Sequence, residues 1–130
     1  MNNPSLILVV DDEADFREIF SVKLTGAGFH VETATNGEEA IQKAASLAPS
    51  LILLDMQMPG LNGVDVLLAL KKNPETAGIK VVFLTNLGDP RSTGDGAGSE
   101  EHFSREIGAA GYIKKTEDLD VLLERVKAFL

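Results

Sequence analysis

Leu51-Ile52-Leu53-Leu54-Asp55-Met56-Gln57-Met58-Pro59-Gly60-Leu61-Asn62-Gly63 is the stretch on which the reading of the fold turns. Four consecutive apolar residues followed by a Pro-Gly turn signal describe a strand buried on both faces, the habit of parallel sheets. The run ends abruptly in Asp55. In open sheets of this type ligands bind in the crevice beyond the carboxyl ends of the strands, so a carboxylate at that exit sits where chemistry would be. An aspartate also suits a turn ahead of Pro59 and Gly60, and Asp55 taken alone fits either role.

Outward from that strand the same pattern recurs. Leu6 to Val10 is a second apolar run that ends in acid, here Asp11, Asp12 and Glu13 in succession. Ala14 to Ala27 carries Phe16, Ile19, Phe20, Lys23 and Leu24 at helical spacing and ends at Gly26 and Gly28, which predicts a first helix. His30 to Thr35 reads as a short strand near a sheet edge. Asn36 is the expected cap of a second helix, with Glu38 and Glu39 in its first turn, Ala40, Ile41, Ala44, Ala45 and Leu47 as its apolar face, and Pro49 closing it. After the Met-Pro-Gly turn a third helix starts at Asn62 or Gly63 and turns Val64, Val66, Leu67, Leu68 and Leu70 to the sheet.

Lys80 to Leu84 is the fourth strand and delivers Thr85 to the same edge as the acids. The alternation then breaks. Asn86 to Ser99 holds Gly88, Pro90, Gly94, Gly96 and Gly98 and reads as a flexible surface loop, of the length that in a compact domain is either functional or disordered. Ser99 is a plausible cap for a short helix to Ile107, Gly111 to Lys114 is a fifth strand, and Thr116 is the expected cap of a last helix with Leu119, Leu122, Leu123, Val126, Phe129 and Leu130 as its buried stripe. Strand and helix alternate five times. That calls for an α/β fold, a five-stranded parallel sheet with right-handed crossovers and helices on both faces.

The totals bound what such a sheet can serve. At 130 residues the chain is expected to be a single domain, residues 1–130, with no output domain attached. Cysteine is absent, which excludes disulfides, thiolate metal sites and a cysteine nucleophile. The opening Met1 to Ser5 lacks a basic region, and Leu6 to Val10 is too short for a signal peptide or a membrane span, so the cytoplasm is the expected location. A net charge of −8 repels nucleic-acid backbones and anionic lipid, and no local basic patch offsets it. His30 and His102 are too far apart and too poorly accompanied to suggest a metal site.

Collected at one rim, the strand ends bring together Asp11, Asp12, Asp55, Thr85 and, after the fifth strand, Lys114 and Lys115. Three carboxylates cannot sit ionised and close together without a counter-charge. A hard divalent cation supplies one, and Mg²⁺ in particular takes oxygen ligands, often one or two carboxylates and a phosphate oxygen. A lysine and a threonine hydroxyl suit the remaining phosphate oxygens. Carboxylate, metal and lysine around one spot make a phosphoryl-accepting centre.

The residues also resemble a family. Asp11-Asp12-Glu13, Asp55-Met56-Gln57-Met58-Pro59-Gly60, Thr85 and Gly108-Ala109-Ala110-Gly111-Tyr112-Ile113-Lys114-Lys115 are similar, in order and over the whole chain, to the receiver domain of two-component response regulators (the CheY-like superfamily). The resemblance implies a doubly wound, flavodoxin-like fold of strand order 2-1-3-4-5, for which a family member serves as a standard illustration. It implies that Asp55 accepts a phosphoryl group from a sensor histidine kinase or a phosphotransfer protein. Asp12 would bind Mg²⁺ directly, Asp11 mainly through water, and the Gln57 backbone carbonyl would complete the protein ligands beside Asp55. The family's lysine lies three residues after an aromatic, which selects Lys115, counted from Tyr112. Thr85 and Tyr112 would report the phosphate to a face formed by the fourth helix, fifth strand and fifth helix, where a downstream output protein binds. A phosphorylation-dependent dimer is compatible with that scheme. Such a chain is a switch that catalyses its own phosphorylation and dephosphorylation at Asp55, not a turnover enzyme.

Three features depart from the family. Thr116 replaces the usual proline after the lysine, so a trans peptide is expected there, because a cis bond without proline costs about 3 kcal/mol. Asn86 replaces a small residue beside the switch threonine and would narrow access to the phosphoryl group. The Gly-rich stretch lengthens the path from Thr85 to Gly108 by about two helical turns. It reads either as a tolerated surface insertion or as a reshaping of the output face for an unusual partner. The main alternative function is a pseudo-receiver that binds partners without phosphorylation, and the intact acids, Thr85 and Lys115 oppose it. A phosphatase on a similar sheet would want a D-x-D spacing, and a dinucleotide enzyme a Gly-rich turn after the first strand; neither is present.

Overall fold

The computed structural model of the chain describes residues 5–85 and 108–130. The strands are β1 (Leu6–Val10), β2 (His30–Ala34), β3 (Leu51–Asp55), β4 (Lys80–Thr85) and β5 (Gly111–Lys114). All four pairings are parallel, in the order β2-β1-β3-β4-β5. The expected strand order and the edge position of β2 are therefore both observed. The helices α1 (Ala14–Gly26), α2 (Gly37–Leu47) and α3 (Gly63–Lys72), with a C-terminal helix (Leu119–Phe129), join and follow the strands. The predicted loop 86–99, Asn86 within it, and the short helix from Ser99 to Ile107 lie outside the described residues.

β3 occupies the middle of the sheet, and all five of its residues are buried. Side chains on a strand alternate between faces, so a continuous apolar run feeds two cores at once. Ile52 and Leu54 join Leu8, Val10, Val81 and Phe83 beneath α2 and α3, where Ala40, Ala44, Val66, Leu67 and Leu70 close the layer. Leu51 and Leu53 join Ile7, Val9, Val82, Leu84 and Ile113 beneath α1 and the C-terminal helix, against Phe20, Leu24, Leu122 and Val126. Burial of β3 on both faces makes it the least yielding strand, and Asp55 is its last residue.

Asn36 caps α2 as the sequence leads one to expect, Asn62, one of two possible starts of the third helix, proves to be its cap, and the cap of the last helix departs from expectation. Asn36 accepts a hydrogen bond from Glu39 N at 2.8 Å. Asn62 accepts from Asp65 N at 2.9 Å, and Asp65 accepts in return from Asn62 N at 3.4 Å, a reciprocal capping box. The last helix is capped by Asp118, which accepts from Asp120 N at 3.3 Å, and not by Thr116. Thr116 instead falls in the turn closed by Glu117 N donating to Lys114 O at 3.2 Å.

The helical stripes are also narrower than predicted. Ile19 is 51% exposed, and Leu47, Leu68, Leu130 and Ala45 are exposed as well. A helix laid on a sheet buries only the residues directly over it, and α1 fully buries Phe20 and Leu24 alone.

Gly63 shows how closely α3 approaches the end of β3. A Cβ built there would lie 2.7 Å from Asp55 O and 2.8 Å from Met56 Cα, both backbone atoms that cannot swing aside. Exchanging glycine for alanine in a helix normally stabilises by about 0.5–1 kcal/mol, whereas overpacking a tight contact costs about 1–3 kcal/mol. The second effect is the larger here. Gly63→Ala is expected to destabilise the protein by about 1–2 kcal/mol in urea unfolding, while Gly26→Ala, with nothing within 4 Å of the new Cβ, leaves the midpoint unchanged or raises it.

Candidate functional site

The parallel pairing sets the geometry of the rim. Val10 pairs with Leu54 across β1 and β3, so Asp11 and Asp55 leave neighbouring strands side by side. Asp11 is fully buried and Asp55 is 6% exposed, while Asp12 turns to solvent. Carboxylate oxygens of the three lie within 4.8 Å of one another. The backbone fixes two of the acids further, as Glu13 N donates to Asp11 Oδ1 at 2.8 Å and Gln57 N to Asp55 Oδ1 at 3.1 Å. Gln57 itself is exposed, at the start of the turn that leads through Gly60 (φ +78°) to Asn62.

Among the described residues, the cation that meets the Asp11 and Asp55 carboxylates comes from the far side of the sheet. Thr85, at the end of β4, is 5% exposed, and its carbonyl accepts from Lys115 N at 2.7 Å. That bond extends the ladder beyond the Thr85–Lys114 pair and aims Lys115 inward. Its Nζ stands 2.9 Å from Asp11 Oδ2 and 3.7 Å from Asp55 Oδ2, and it also binds Glu13 Oε1. It lies 4.7 Å above the centroid of the Phe16 ring, a cation–π distance. Lys114 instead lines a shallow pocket of about 140 Å³ with Tyr112, Ile113, Glu117 and Arg125. Tyr112 is half-buried and packs against the core of Val81 and Phe83. Every peptide bond among the described residues is trans, that of Thr116 included.

The electrostatics follow from burial. Loss of solvent pushes the Asp55 carboxyl up from 3.8 to about 7, the neighbouring Asp11 charge adds to the rise, and the Gln57 N–H and Lys115 only partly oppose it. Asp11 is raised too, again by burial first, against the pull of Lys115 and the Glu13 N–H. Burial pulls Lys115 down, but its bonds to Glu13 and Asp11 and the charges of Asp55 and Asp11 outweigh this and leave it raised. Lys115 Nζ pairs with Asp11 Oδ2 at 2.9 Å, and among the described residues no other group donates to that buried oxygen. Three converging carboxylates, two of them buried and holding their protons more tightly than usual, fit a hard divalent cation.

Glu13 and Phe16 are the residues that sequence reasoning left without a role. Glu13 was visible as the third acid after β1; nothing in its local spacing pointed to a lysine 102 residues away.

The chain matches the response regulator receiver domain model over residues 7–127, and it belongs to that family. Among curated relatives it is 34% identical over 124 residues to the DNA-binding dual master transcriptional regulator RpaA of Synechocystis, covering 95% of this chain and 48% of that protein. It is 36% identical over 124 residues to the phosphate regulon transcriptional regulatory protein PhoB of Pseudomonas aeruginosa, covering 95% of this chain and 51% of that protein. The chain thus spans about half the length of these relatives. Among solved structures, the chemotaxis protein CheY4 of Vibrio cholerae superposes with a TM-score of 0.83 at 27% identity, over 98% of this chain and 99% of that one. The receiver domain of a signal transduction histidine kinase from Syntrophus aciditrophicus gives 0.79 at 32% identity, over 97% and 89%. No helix among the described residues is long and apolar enough to cross a membrane.

The raised Asp55 pKa has a consequence for stability. With a folded value near 7 and an unfolded value near 3.8, the folded state binds more protons between those limits, so stability falls as pH rises through that window. Asp11 acts in the same direction, while Lys115 acts only above its unfolded value of 10.5. In chelator, the wild-type protein is expected to lose stability from pH 4 to pH 7.5, on the order of 3 kcal/mol at about 1.4 kcal/mol per pH unit for one extra bound proton. Asp55→Asn removes most of that slope and is the more stable protein at pH 7.5. Parallel wild-type and variant curves in thermal unfolding would refute the assignment.

Proposed function

We propose that this chain is a phosphoacceptor receiver that takes a phosphoryl group onto Asp55 from a phosphohistidine of a sensor kinase or phosphotransfer protein, and acts as a switch. The observation that carries this reading is the convergence of Lys115 Nζ on Asp11 and Asp55, inside a group of three carboxylates at the strand ends of a receiver-family chain. Asp11, Asp12, Asp55 and the Gln57 carbonyl would hold Mg²⁺, with Asp11 acting mainly through water. When bound, that ion supplies positive charge to the carboxylates and to the incoming phosphoryl oxygens.

In the transfer, a carboxylate oxygen of Asp55 forms a bond to phosphorus while the donor's P–N bond breaks. The electron pair leaves with the imidazole nitrogen, which then takes a proton. Asp55 reacts as the anion, so its proton must be released first, and near neutral pH that costs little because its pKa is about 7. Lys115 balances charge on the transferred group, and the Thr85 hydroxyl donates to one of its oxygens. Hydrolysis reverses the state: water attacks phosphorus, and the bond to the Asp55 oxygen breaks.

The phosphoryl group brings negative charge and strong acceptor oxygens to the rim. Thr85 and Lys115 are joined through the Lys115 N to Thr85 O bond, so a shift of either reaches β5 and Tyr112. From there the change would spread to the fourth helix, fifth strand and fifth helix of the family scheme, where the output partner docks. The relatives named above are transcriptional regulators; the output partner of this chain is a downstream protein, and its site of action is the cytoplasm.

Incubation with a small acyl-phosphate donor and Mg²⁺ is expected to label the wild-type chain at Asp55. Asp55→Asn and removal of Mg²⁺ each abolish the acid-stable, base-labile product, and Thr85→Ala retains it at a reduced level. Undiminished labelling of Asp55→Asn would defeat the proposal.

A further inference from the structure

Glu13 occupies the N-cap position of α1, yet its side chain makes no capping hydrogen bond. The short polar side chains of Ser, Thr, Asp and Asn ordinarily accept from the exposed N–H groups of the first turn at that position, and glutamate is not among the preferred caps. Here the backbone alone enters the helix, through Glu13 O accepting from Arg17 N at 3.0 Å. The side chain turns to Lys115 instead. Lys115 Nζ, 8% exposed at the side-chain level, is left in close contact with Glu13 and Asp11 over the Phe16 ring, and at 3.7 Å from Asp55. Among the carboxylates that meet Nζ, Asp55 is the most distant.

We propose that Glu13 is a positioning residue that competes with the Asp55 phosphoryl group for Lys115, holding the ammonium on the α1 side until transfer draws it across. The inference rests on the phosphoacceptor reading above. An ammonium has three donors, but its reach is short, and a phosphoryl oxygen on Asp55 gains its full contact only as the Glu13 contact loosens. Glu13 is 59% exposed whereas Asp11 is fully buried, so Glu13 is the partner that Lys115 can release at small cost. Its restraint is accordingly modest: exposed ion pairs shift an equilibrium by roughly one- to fivefold. An exposed pair is also screened by salt, whereas the buried Asp11 contact is screened much less.

The experiment compares wild type, Glu13→Gln, Glu13→Ser and Asp15→Asn as full chains at saturating Mg²⁺, at low and high ionic strength. It reads the initial rate of labelling by a small acyl phosphate and the affinity for trifluoroberyllate, a phosphoryl mimic. Glu13→Gln is expected to label about two- to fivefold faster at low salt and to bind the mimic more tightly by the same factor. The advantage shrinks at high salt, where the wild-type pair is screened. Glu13→Ser installs a preferred capping residue at the same position and is expected to match Glu13→Gln, which covers the case of an impaired helix start. Asp15→Asn removes an acid from the same first turn and is expected to leave both readouts near wild type. Slower or unchanged labelling in both Glu13 variants would overturn the inference while the phosphoacceptor reading stands. An equal gain in Asp15→Asn would also overturn it, since net charge would then suffice. Failure of the wild-type chain to label would overturn both.

Discussion

Asp11 and Asp55 are pressed together by strand register. Once Val10 is paired with Leu54, the next residue on each strand must emerge at the same rim, and both happen to be acids. The repulsion cannot be relieved by moving the backbone. β3 is buried on both faces, and α3 is seated against its end so closely that Gly63 has no room for a methyl group. The strain therefore appears as chemistry: both carboxyls hold their protons more tightly than usual. Most of what the site can do follows from this arrangement, because a cluster that cannot separate must instead recruit positive charge.

Positive charge comes first from within. Lys115 lies outside β5, but the Lys115 N to Thr85 O bond carries the ladder one residue further and delivers the side chain over β4 and β3 toward β1. The Phe16 ring, tilted at 47° against Phe20 with centroids 5.3 Å apart, gives the ammonium an aromatic wall on the α1 side. Phe20 is fully buried in the core beneath α1 and the C-terminal helix, so this wall is anchored. The lysine is thus guided by elements from both ends of the chain, with its Nζ 2.9 Å from Asp11 and 3.7 Å from Asp55 and in contact with Glu13.

What the sequence made legible, it did through runs and strand exits. Leu51 to Leu54 had to be a two-faced strand, and the acids, Thr85 and the lysines fell at strand ends by counting alone. The cap Asn36 could be read because it stands directly before an apolar-periodic segment, while the start of the third helix could be placed only at Asn62 or Gly63. Thr116 failed as a cap for a local reason: Thr116 and Asp118 are both competent, and the turn from Lys114 to Glu117 consumes the first. Ile19 and Leu68 were assigned to buried faces because periodicity marks which side of a helix is apolar, not how wide a strip the sheet will cover. Glu13 was beyond local reading altogether. Next to two acids of an obvious cluster it looks like a third, and only the arrival of Lys115 separates its role from theirs.

The sign of the charge at this rim also orders events in any phosphoryl chemistry it performs. Among the described residues, Asp11, Glu13 and Asp55 meet the Lys115 ammonium, and Asp12 adds a further carboxyl to the cluster. A phosphoryl donor approaching Asp55 adds further negative charge, and in a partly desolvated pocket like charges repel more strongly than in water. Without an added cation, burial and the Asp11 charge hold the pKa of the Asp55 carboxyl at about 7, so near neutral pH it is divided between its neutral and anionic forms. Compensation by a proton and compensation by a cation are therefore alternatives at one place, and a bound cation would favour the anion. The crowding that makes the carboxyl a weak acid is the same crowding that makes its charge depend on what else has bound.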